Sequence, residues 1–232
     1  MQPIDLNADV GEGFDSDRAL LELVTSASIA CGFHAGDAAT MRSLCAAAVA
    51  AGVSLGAHVG YRDRAGFGRR ALGVDAATVE AEAVEQIDAL AAAASAAGGR
   101  VTYLKPHGAL YHRASSDGEI ARALVSAAAG RGLAVLAFPG SALLAQAGAA
   151  GLLAVAEGFA DRGYAEDGTL LPRGEADAVL DGAAAARQAV ELAGTGAVRS
   201  LCVHGDSPAA AAVASAVRSA LVTAGAELRA FA

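Results

Sequence analysis

The chain has 232 residues, of which 54% are hydrophobic and 18% are charged, and its formal net charge is −8. This length and composition indicate a globular fold with one large core and exclude a mostly disordered chain. The acidic balance argues against a nucleic-acid partner, because a polyanion binder needs a surplus of Lys and Arg on one face.

Short apolar segments rich in β-forming residues alternate with longer alanine-rich segments along the chain. The short segments predict strands at 4–10, 28–34, 53–61, 101–108, 134–140, 152–159 and 200–206. The longer segments predict helices at roughly 38–51, 76–97, 117–131, 141–149, 175–193 and 207–224, and a weaker last strand is predicted at 227–232. Strand followed by helix, repeated about seven times, predicts an α/β fold with a parallel sheet in a single domain spanning residues 1–232.

Polar residues stand at the C-terminal ends of almost all the predicted strands. They are Asn7, Asp9, His34, His58, Lys105, His107, Glu157, His204 and Asp206. In a closed barrel these ends meet at one mouth, whereas in an open sheet they lie along a line. The pattern therefore favours a barrel of about seven parallel strands with one pocket at its mouth.

We expect a cytoplasmic protein with no membrane partner. The charge-free segment 132–156 contains FPGS and further glycines, which predict a turn between two strands rather than one spanning helix. The segment MQPIDLNADV lacks the basic and apolar regions of a targeting signal. Cys31, Cys45 and Cys202 form no CxxC pair, which favours reduced, buried thiols.

Four of the five histidines lie at predicted strand ends with glycine nearby: His34, His58, His107 and His204. Histidine together with carboxylate suits a catalytic metal, which needs three protein ligands and one open position for water. Asp9, His58 and His107 meet that demand, and His34 is a fourth ligand or orients the water. A metal-free site, in which a histidine is the general base and an Asp orients it, fits the spacing equally well.

Lys105, in the segment LKPHGAL, is the only lysine in the chain. Beside His107 its ammonium can form a Schiff base, neutralise an anionic substrate group or polarise a carbonyl. The alternative is a buried lysine paired with a carboxylate for structure. On the catalytic interpretation, Lys105→Met abolishes turnover without unfolding the protein. The chain contains no GxxxxGK[ST] loop, so a nucleotide would bind at another kind of site or on a partner.

Three loops are candidates for ligand contact. In the segment EGFADRGYAEDGTLLPRGE, four side chains can close over a ligand or remain solvated: Asp161, Arg162, Tyr164 and Arg173. The segment YRDRAGFGRR carries four arginines that can bind phosphate or carboxylate, although solvated charge is the commoner role. The backbone amides of the VHGD turn can point at an anion, helped by the following helix.

Seven motifs, in order from residue 5 to about residue 206, resemble the LamB/YcsF family: DLNADVGE, IACGFHAGD, GAHVGY, GFGRR, LKPHGALY, FADRGY and CVHGD. The resemblance implies a distorted (β/α) barrel of about seven parallel strands, similar to the glycoside hydrolase/deacetylase superfamily. The chain departs from the usual pattern of the family at Ala38, Val59, Arg62, His112 and Ser207. The first three alter turn stiffness, and the last two alter contacts near the mouth.

The same resemblance implies ATP-dependent hydrolytic ring opening of 5-oxo-L-proline to L-glutamate, with ATP and Mg²⁺ as cofactors and 5-oxoprolinase subunits B and C as partners. We expect phosphorylation of the lactam carbonyl oxygen, attack by water, and neutralisation of the substrate carboxylate or the phosphorylated oxygen by Lys105. By analogy with related deacetylases, a divalent metal would be held by Asp9, His58 and His107. Catalysis is assigned to Asp9, His34, Lys105 and His107, and substrate binding to Asn7, His58, Tyr61, Glu157, Arg162, Arg173, His204 and Asp206.

Three other functions remain open from the sequence. A metal-dependent deacetylase or amidohydrolase would act without ATP and without partners. A Schiff-base enzyme of the aldolase type would use Lys105 and be trapped by borohydride. A non-catalytic lactam-binding protein would hold the lactam and pass it to its partners.

Overall fold

The computed structural model describes residues 2–232 and consists of a closed barrel of seven parallel strands surrounded by helices. Each strand pairs with the next, and the last pairs with the first. The strands are β1 (Asp5–Val10), β2 (Ser26–Ala30), β3 (Ser54–Val59), β4 (Val101–Pro106), β5 (Ala134–Ala137), β6 (Ala154–Phe159) and β7 (Ser200–His204). The predicted α/β barrel is therefore confirmed.

Eight helices cover the barrel within the described residues: α1 (Asp17–Leu21), α2 (Ala38–Ala51), α3 (Ala76–Ala96), α4 (Gly108–Ser116), α5 (Gly118–Ala129), α6 (Ala142–Ala149), α7 (Gly182–Thr195) and α8 (Ala210–Thr223). Aspartate side chains begin four of them by accepting a backbone N–H of the first turn, and these are Asp37, Asp75, Asp117 and Asp181. Among residues 2–232, no helix is both long enough and apolar enough to cross a membrane.

The structure differs from the prediction most clearly at four elements, and some strand boundaries, such as those of β2, are shifted as well. Helices α1 and α4 are absent from the prediction, because α1 has five residues and α4 buries only Leu110, Tyr111 and Ala114. Helix α7 begins at Gly182 rather than 175, since the preceding loop continues to the capping Asp181. The segment 227–232 contributes one isolated bridge to Ile4 instead of a strand.

Strand β1 shows why the barrel interior is polar near its axis. Leu6, Ala8 and Val10 belong to the hydrophobic core between barrel and helices. The alternate residues Asp5 and Asn7 are fully buried and form hydrogen bonds with Ser200 on the neighbouring strand β7, and Asp9 contacts Lys105 from the opposite side of the barrel. Because side chains of a strand alternate between its two faces, one strand supplies both an apolar outer face and a polar inner face.

Asp5 forms a buried hydrogen-bonded network with three hydroxyl groups. The hydroxyls of Thr25, Ser26 and Ser200 donate to its carboxylate. Burial nevertheless raises the pKa of Asp5 from 3.8 to about 6. Because the folded-state pKa lies above the unfolded value, Asp5 contributes stability that is complete below pH 3.8 and lost as the pH rises through about 6.

We expect Asp5→Asn to remove this pH-dependent loss of stability. Between pH 4 and 7 the wild type should lose roughly 2.5 kcal/mol more unfolding free energy than the variant. Urea unfolding at several pH values measures the difference, with Asp15→Asn as an exposed control that should follow the wild type. Equal pH slopes for the wild type and Asp5→Asn would contradict the proton linkage.

Candidate active site

A cavity of about 710 Å³ opens at the C-terminal mouth of the barrel. Its walls include five of the polar strand-end residues expected from the sequence, namely Asp9, His58, Lys105, His107 and His204. They come from β1, β3, β4 and β7 or directly follow those strands. The barrel thus gathers residues that are distant in the chain around one pocket.

Lys105 is held between two carboxylates. Its Nζ lies 2.8 Å from Asp9 Oδ1 and 3.1 Å from Glu157 Oε2, and it donates to Asn7 Oδ1 at 3.2 Å. Burial alone would lower the pKa of Lys105, but Asp9, Cys202 and Glu157 keep it well above its usual value. The lysine is therefore a permanent ammonium at neutral pH, which does not favour a Schiff-base role because that role requires a neutral amine.

Asp9 remains ionised although it is buried. Burial would raise its pKa, but the neighbouring His58 and Lys105 hold that pKa well below its usual range. Its Oδ1 faces Lys105, while Oδ2 lies 3.4 Å from His58 Nε2 and 4.0 Å from His204 Nε2. One carboxylate oxygen is thus engaged by the ammonium, and the other faces the histidines of the pocket.

His204 and Asp161 form an oriented acid–base pair. The imidazole Nδ1 lies 2.9 Å from Asp161 Oδ1, and the backbone N–H of His204 donates to Asp161 Oδ2 at 2.8 Å. The ring of Phe159 stacks on the imidazole at 5.4 Å between ring centroids. Burial would lower the pKa of His204, but the Asp161 carboxylate raises it above its usual value. His204 can therefore hold a proton at its Nε2, which faces the pocket.

A second polar cluster contains three histidines and Glu12. His58 Nε2 and His107 Nδ1 are 3.0 Å apart, and Glu12 Oε1 lies 3.2 Å from His107 Nδ1 and 3.4 Å from His34 Nε2. The rings of His34 and His107 stack at 3.9 Å. Burial lowers the pKa of His107 and takes that of His34 to about 3, so both rings are neutral at pH 7.

Glu12 is a site residue that the strand-end pattern does not reveal. It lies within the DLNADVGE motif but beyond the end of β1, after a turn in which Gly11 has a φ of 80°. That left-handed backbone conformation suits glycine and turns the chain so that Glu12 faces the histidines. In the sequence, the one indication of a role for Glu12 is that it is an acidic residue inside a long motif.

The ligand set implied by the resemblance, Asp9, His58 and His107, does not fit this geometry. Asp9 is paired with the ammonium of Lys105, which would repel a cation placed beside it. A second donor group of Asp9, Cys202 and His204 meets the same objection, because Lys105 Nζ also lies 3.1 Å from Cys202 Sγ. The carboxylate beside His58 and His107 that has no ammonium contact is that of Glu12.

Arginines from two loops meet one carboxylate at the rim of the pocket. Arg69 Nη2 and Arg173 Nη2 lie 2.6 and 2.9 Å from the same oxygen, Asp206 Oδ2. Arg162 also lines the pocket, but its guanidinium donates to the backbone oxygens of Ala178 and Leu171. Because two guanidiniums share one carboxylate, the rim keeps a net positive charge and unused N–H donors.

Four residues assigned to substrate binding do not line the pocket, and one of them, Asp206, contacts the arginines of its rim instead. Asn7 and Glu157 are fully buried behind Lys105 and contact its ammonium. Tyr61 is also buried, and its hydroxyl accepts from Arg113 at 3.4 Å. Strand-end position identified these polar residues but did not distinguish those that face the cavity from those that support its wall.

Four residues that the sequence indicated for catalysis or ligand contact do not line the main cavity, namely His34, Arg62, Arg70 and Tyr164. His34 is fully buried and faces the Glu12 cluster rather than the main cavity. Of the arginine-rich loop only Arg69 lines the main cavity, while Arg62 pairs with glutamates of α3 and Arg70 pairs with Asp63. Tyr164 does not itself line the main cavity, and its hydroxyl accepts the backbone N–H of Phe159, which does.

Comparisons with known proteins agree with the motif pattern. Residues 4–232 match a family model described as the LamB/YcsF family. The chain is 55% identical to a Streptomyces griseus protein named as the A subunit of 5-oxoprolinase, over 99% of this chain and 100% of that protein. A solved structure of the lactam utilization protein from Thermus thermophilus has a TM-score of 0.90 at 40% identity, covering 99% of this chain and 100% of that one. A family 4 carbohydrate esterase from Streptomyces lividans has a TM-score of 0.58 at 16% identity, covering 99% and 93%, which is a likeness of fold alone.

Proposed function

The chain belongs to the LamB/YcsF family, and we propose that it hydrolyses the cyclic amide of 5-oxo-L-proline to L-glutamate as one component of a 5-oxoprolinase. The observation that carries the proposal is full-length similarity, at 55% identity, to a relative named as the A subunit of that enzyme. The pocket supports the proposal. The enzyme needs an anion site for the carboxylate of 5-oxo-L-proline and a proton donor for its ring nitrogen, and Arg69, Arg173 and His204 on the cavity wall can supply them.

We propose that the reaction uses ATP with Mg²⁺ and the partner subunits B and C. A lactam carbonyl is a poor electrophile, and transfer of a phosphoryl group from ATP to its oxygen makes the ring carbon open to attack by water. The C–N bond of the resulting adduct breaks as the ring nitrogen takes up a proton, which leaves an acyl phosphate, and a second water hydrolyses that acyl phosphate to the carboxylate of glutamate and free phosphate. The relatives are named as one subunit of several, which supports partner chains, and the three buried free cysteines suit the cytoplasm.

The substrate carboxylate binds at the arginine rim rather than at Lys105. Lys105 already faces the two carboxylates of Asp9 and Glu157, so a third anion there would be repelled. Arg69 and Arg173 share Asp206 alone and retain donors for a carboxylate. The charge distribution therefore revises the expectation that Lys105 neutralises the substrate carboxylate.

With the carboxylate at the rim, the lactam ring points toward the floor of the cavity. His204, protonated and oriented by Asp161, gives its Nε2 proton to the leaving ring nitrogen. Asp9 orients the attacking water through Oδ2, while Lys105 keeps Oδ1 in place and the carboxylate ionised. Lys105 thus acts as a positioning residue for Asp9.

Turnover of 5-oxo-L-proline tests the proposal. The chain is assayed alone, with subunits B and C from a close relative, and with and without ATP, and glutamate is measured. We expect glutamate only when ATP and all three subunits are present. Hydrolysis of an N-acetyl sugar by the chain alone without ATP would support the deacetylase alternative instead. Full activity of complexes in which His204→Gln and Asp9→Asn are tested in turn would support the alternative of a non-catalytic binding component.

We expect Arg173→Met to weaken binding of 5-oxo-L-proline by about 10- to 100-fold, which corresponds to a charged hydrogen bond of about 1.5–3 kcal/mol. Binding of 5-oxoprolinamide, which has no carboxylate, should change little. Calorimetry on both ligands gives the loss of affinity for the acid relative to the loss of affinity for the amide. Arg62→Met is the matched control, since Arg62 pairs with Glu82 and Glu85 away from the cavity. Equal losses for acid and amide would place the carboxylate elsewhere.

A further inference from the structure

We propose that Glu12, His34, His58 and His107 form a binding site for one divalent transition-metal ion. Their four donor atoms lie within 4.8 Å of one another, and all four residues are buried. The site is independent of the identity of the amide substrate, and it differs from the set containing Asp9 that the superfamily resemblance implied.

Backbone carbonyls fix the tautomers of two of these histidines. His58 Nδ1 lies 3.2 Å from the carbonyl oxygen of Lys105, and His107 Nε2 lies 2.9 Å from that of Phe67. A carbonyl oxygen only accepts, so the ring nitrogen that faces each carbonyl is the donor of that contact. The other two nitrogens, His58 Nε2 and His107 Nδ1, are the ones placed to bind a metal.

These two ring nitrogens face each other beside the carboxylate of Glu12. The nitrogen atoms are 3.0 Å apart, and Glu12 Oε1 adds further negative charge at 3.2 Å from His107 Nδ1 and 3.6 Å from His58 Nε2. Three acceptors converging in a buried space repel one another unless a cation lies among them. A far ring nitrogen bonded to a carbonyl is also the usual arrangement of a metal-binding histidine.

Unpartnered polar atoms point to the same place. Within residues 2–232, no hydrogen bond reaches Glu12 Oε1 or either ring nitrogen of His34. Buried polar atoms without partners are uncommon in folded proteins and require an explanation. His34 Nε2 lies 3.4 Å from Glu12 Oε1, so a cation bound by both would satisfy them together.

The surrounding chain leaves room for these rings, and a second cavity lies beside them. A Cβ added at Gly60 would lie 2.6 Å from His34 Nδ1, and one at Gly68 would lie 2.8 Å from His34 Cβ, so glycine makes room for this ring. A second cavity of about 270 Å³ is lined by Glu12 and His34 and reaches the cluster from outside the main cavity. This second cavity is separate from the pocket in which the substrate is proposed to bind.

Three imidazoles and one carboxylate suit Zn²⁺, Mn²⁺ or Co²⁺ better than Mg²⁺ or Ca²⁺, which prefer oxygen ligands. His58 and His107 also line the main cavity, so the ion would lie at its wall. When bound, such an ion lowers the pKa of a coordinated water. The chain supplies the preformed donors and the buried surroundings.

Direct metal binding tests the proposal without substrate or partners. The purified chain is stripped with a chelator and titrated with Zn²⁺, Mn²⁺ and Co²⁺ in a calorimeter, and bound metal is counted by elemental analysis after dialysis. We expect one equivalent of a transition metal in the wild type. Glu12→Gln and His34→Asn should each weaken its affinity at least tenfold, and the Co²⁺ absorption spectrum should change in both.

Two controls make the outcome decisive. Asp9→Asn should retain one equivalent, and so should His112→Asn, whose side chain lies outside the cluster. Each variant is checked for folding by circular dichroism, and Glu12→Asp serves as a second variant if Glu12→Gln does not fold. Absence of stoichiometric metal in the wild type would overturn the proposal in favour of a shared proton between the rings. Loss of binding in Asp9→Asn with retention in Glu12→Gln would overturn it in favour of the superfamily set.

Discussion

Replacing Lys105 with methionine should lower the free energy of unfolding by about 3–5 kcal/mol and abolish turnover. The ammonium is 1% exposed and compensates Asp9 and Glu157, which are themselves buried. Removing it leaves two uncompensated carboxylates in the barrel interior, and uncompensated buried charge is strongly destabilising. Urea unfolding measures the loss of stability, and glutamate release by the complete complex measures activity.

A double variant separates the structural role of Lys105 from its role in the reaction. Lys105→Met with Glu157→Gln removes one of the two uncompensated charges, so it should recover part of the lost stability. It should not recover turnover, because Asp9 Oδ1 still lacks its donor. Stability of Lys105→Met within about 1 kcal/mol of the wild type would contradict the buried ion pair. Recovery of turnover in the double variant would show that Lys105 is only structural.

The catalytic interpretation of Lys105 needs only its position in the sequence, but the stability prediction needs the structure. From LKPHGAL alone the lysine is expected to be replaceable without unfolding. The contacts of Lys105 make the two interpretations compatible, because the same ammonium pairs with two buried carboxylates, one of which is Asp9 at the cavity wall. The carboxylates that pair with it lie far away in the chain, so local sequence could not assign them.

The order and number of strands were predictable because the strands are apolar on the face that packs under the helices. Strand β2 shows the limit, since the prediction places it at 28–34 but it spans Ser26–Ala30. Ser26 and Ser28 face polar partners, Asp5 and the Tyr103 hydroxyl, which hydropathy does not anticipate. A polar barrel interior thus shifts the predicted strand boundaries.

The meeting of strand ends at one mouth was predictable from topology, but partnerships within the site were not. The sequence indicates Asp161 only as part of a loop that can close over a ligand, and the structure places it against His204. Glu12 and Arg69 similarly acquire their surroundings from loops that fold back over the mouth. Loop geometry depends on tertiary contacts, so residue type and spacing do not fix it.

The barrel mouth separates its charges into two groups. Asp9 has an ammonium partner and Glu12 has none among the described residues, although each carboxylate lies beside His58. The first arrangement supports an ionised carboxylate that can orient water, and the second leaves a site that attracts a cation. The single lysine of the chain therefore determines which carboxylate is available to a metal.

We expect Asp161→Asn to lower kcat by about 10²–10⁴-fold, the usual contribution of general acid–base catalysis. The Asp161 carboxylate orients His204 through Nδ1 and raises its pKa, with Asp9 assisting and Arg173 opposing. His204 donates a proton, so its protonated form is the active one, and kcat falls as the pH rises through its pKa. Asparagine at position 161 removes the charge that raises the pKa of His204, so the fall in kcat should move to lower pH.

The pH profile of kcat in the complete complex distinguishes this role from a structural one. A purely structural defect would lower the rate at every pH without moving the fall. His204→Gln should abolish the fall together with most of the activity. Asp88→Asn is the matched control, because Asp88 pairs with Arg131 on the outer surface and should leave the profile unchanged. If Asp161→Asn keeps the wild-type profile, His204 is not the proton donor, and the ring nitrogen must be protonated from another wall of the cavity.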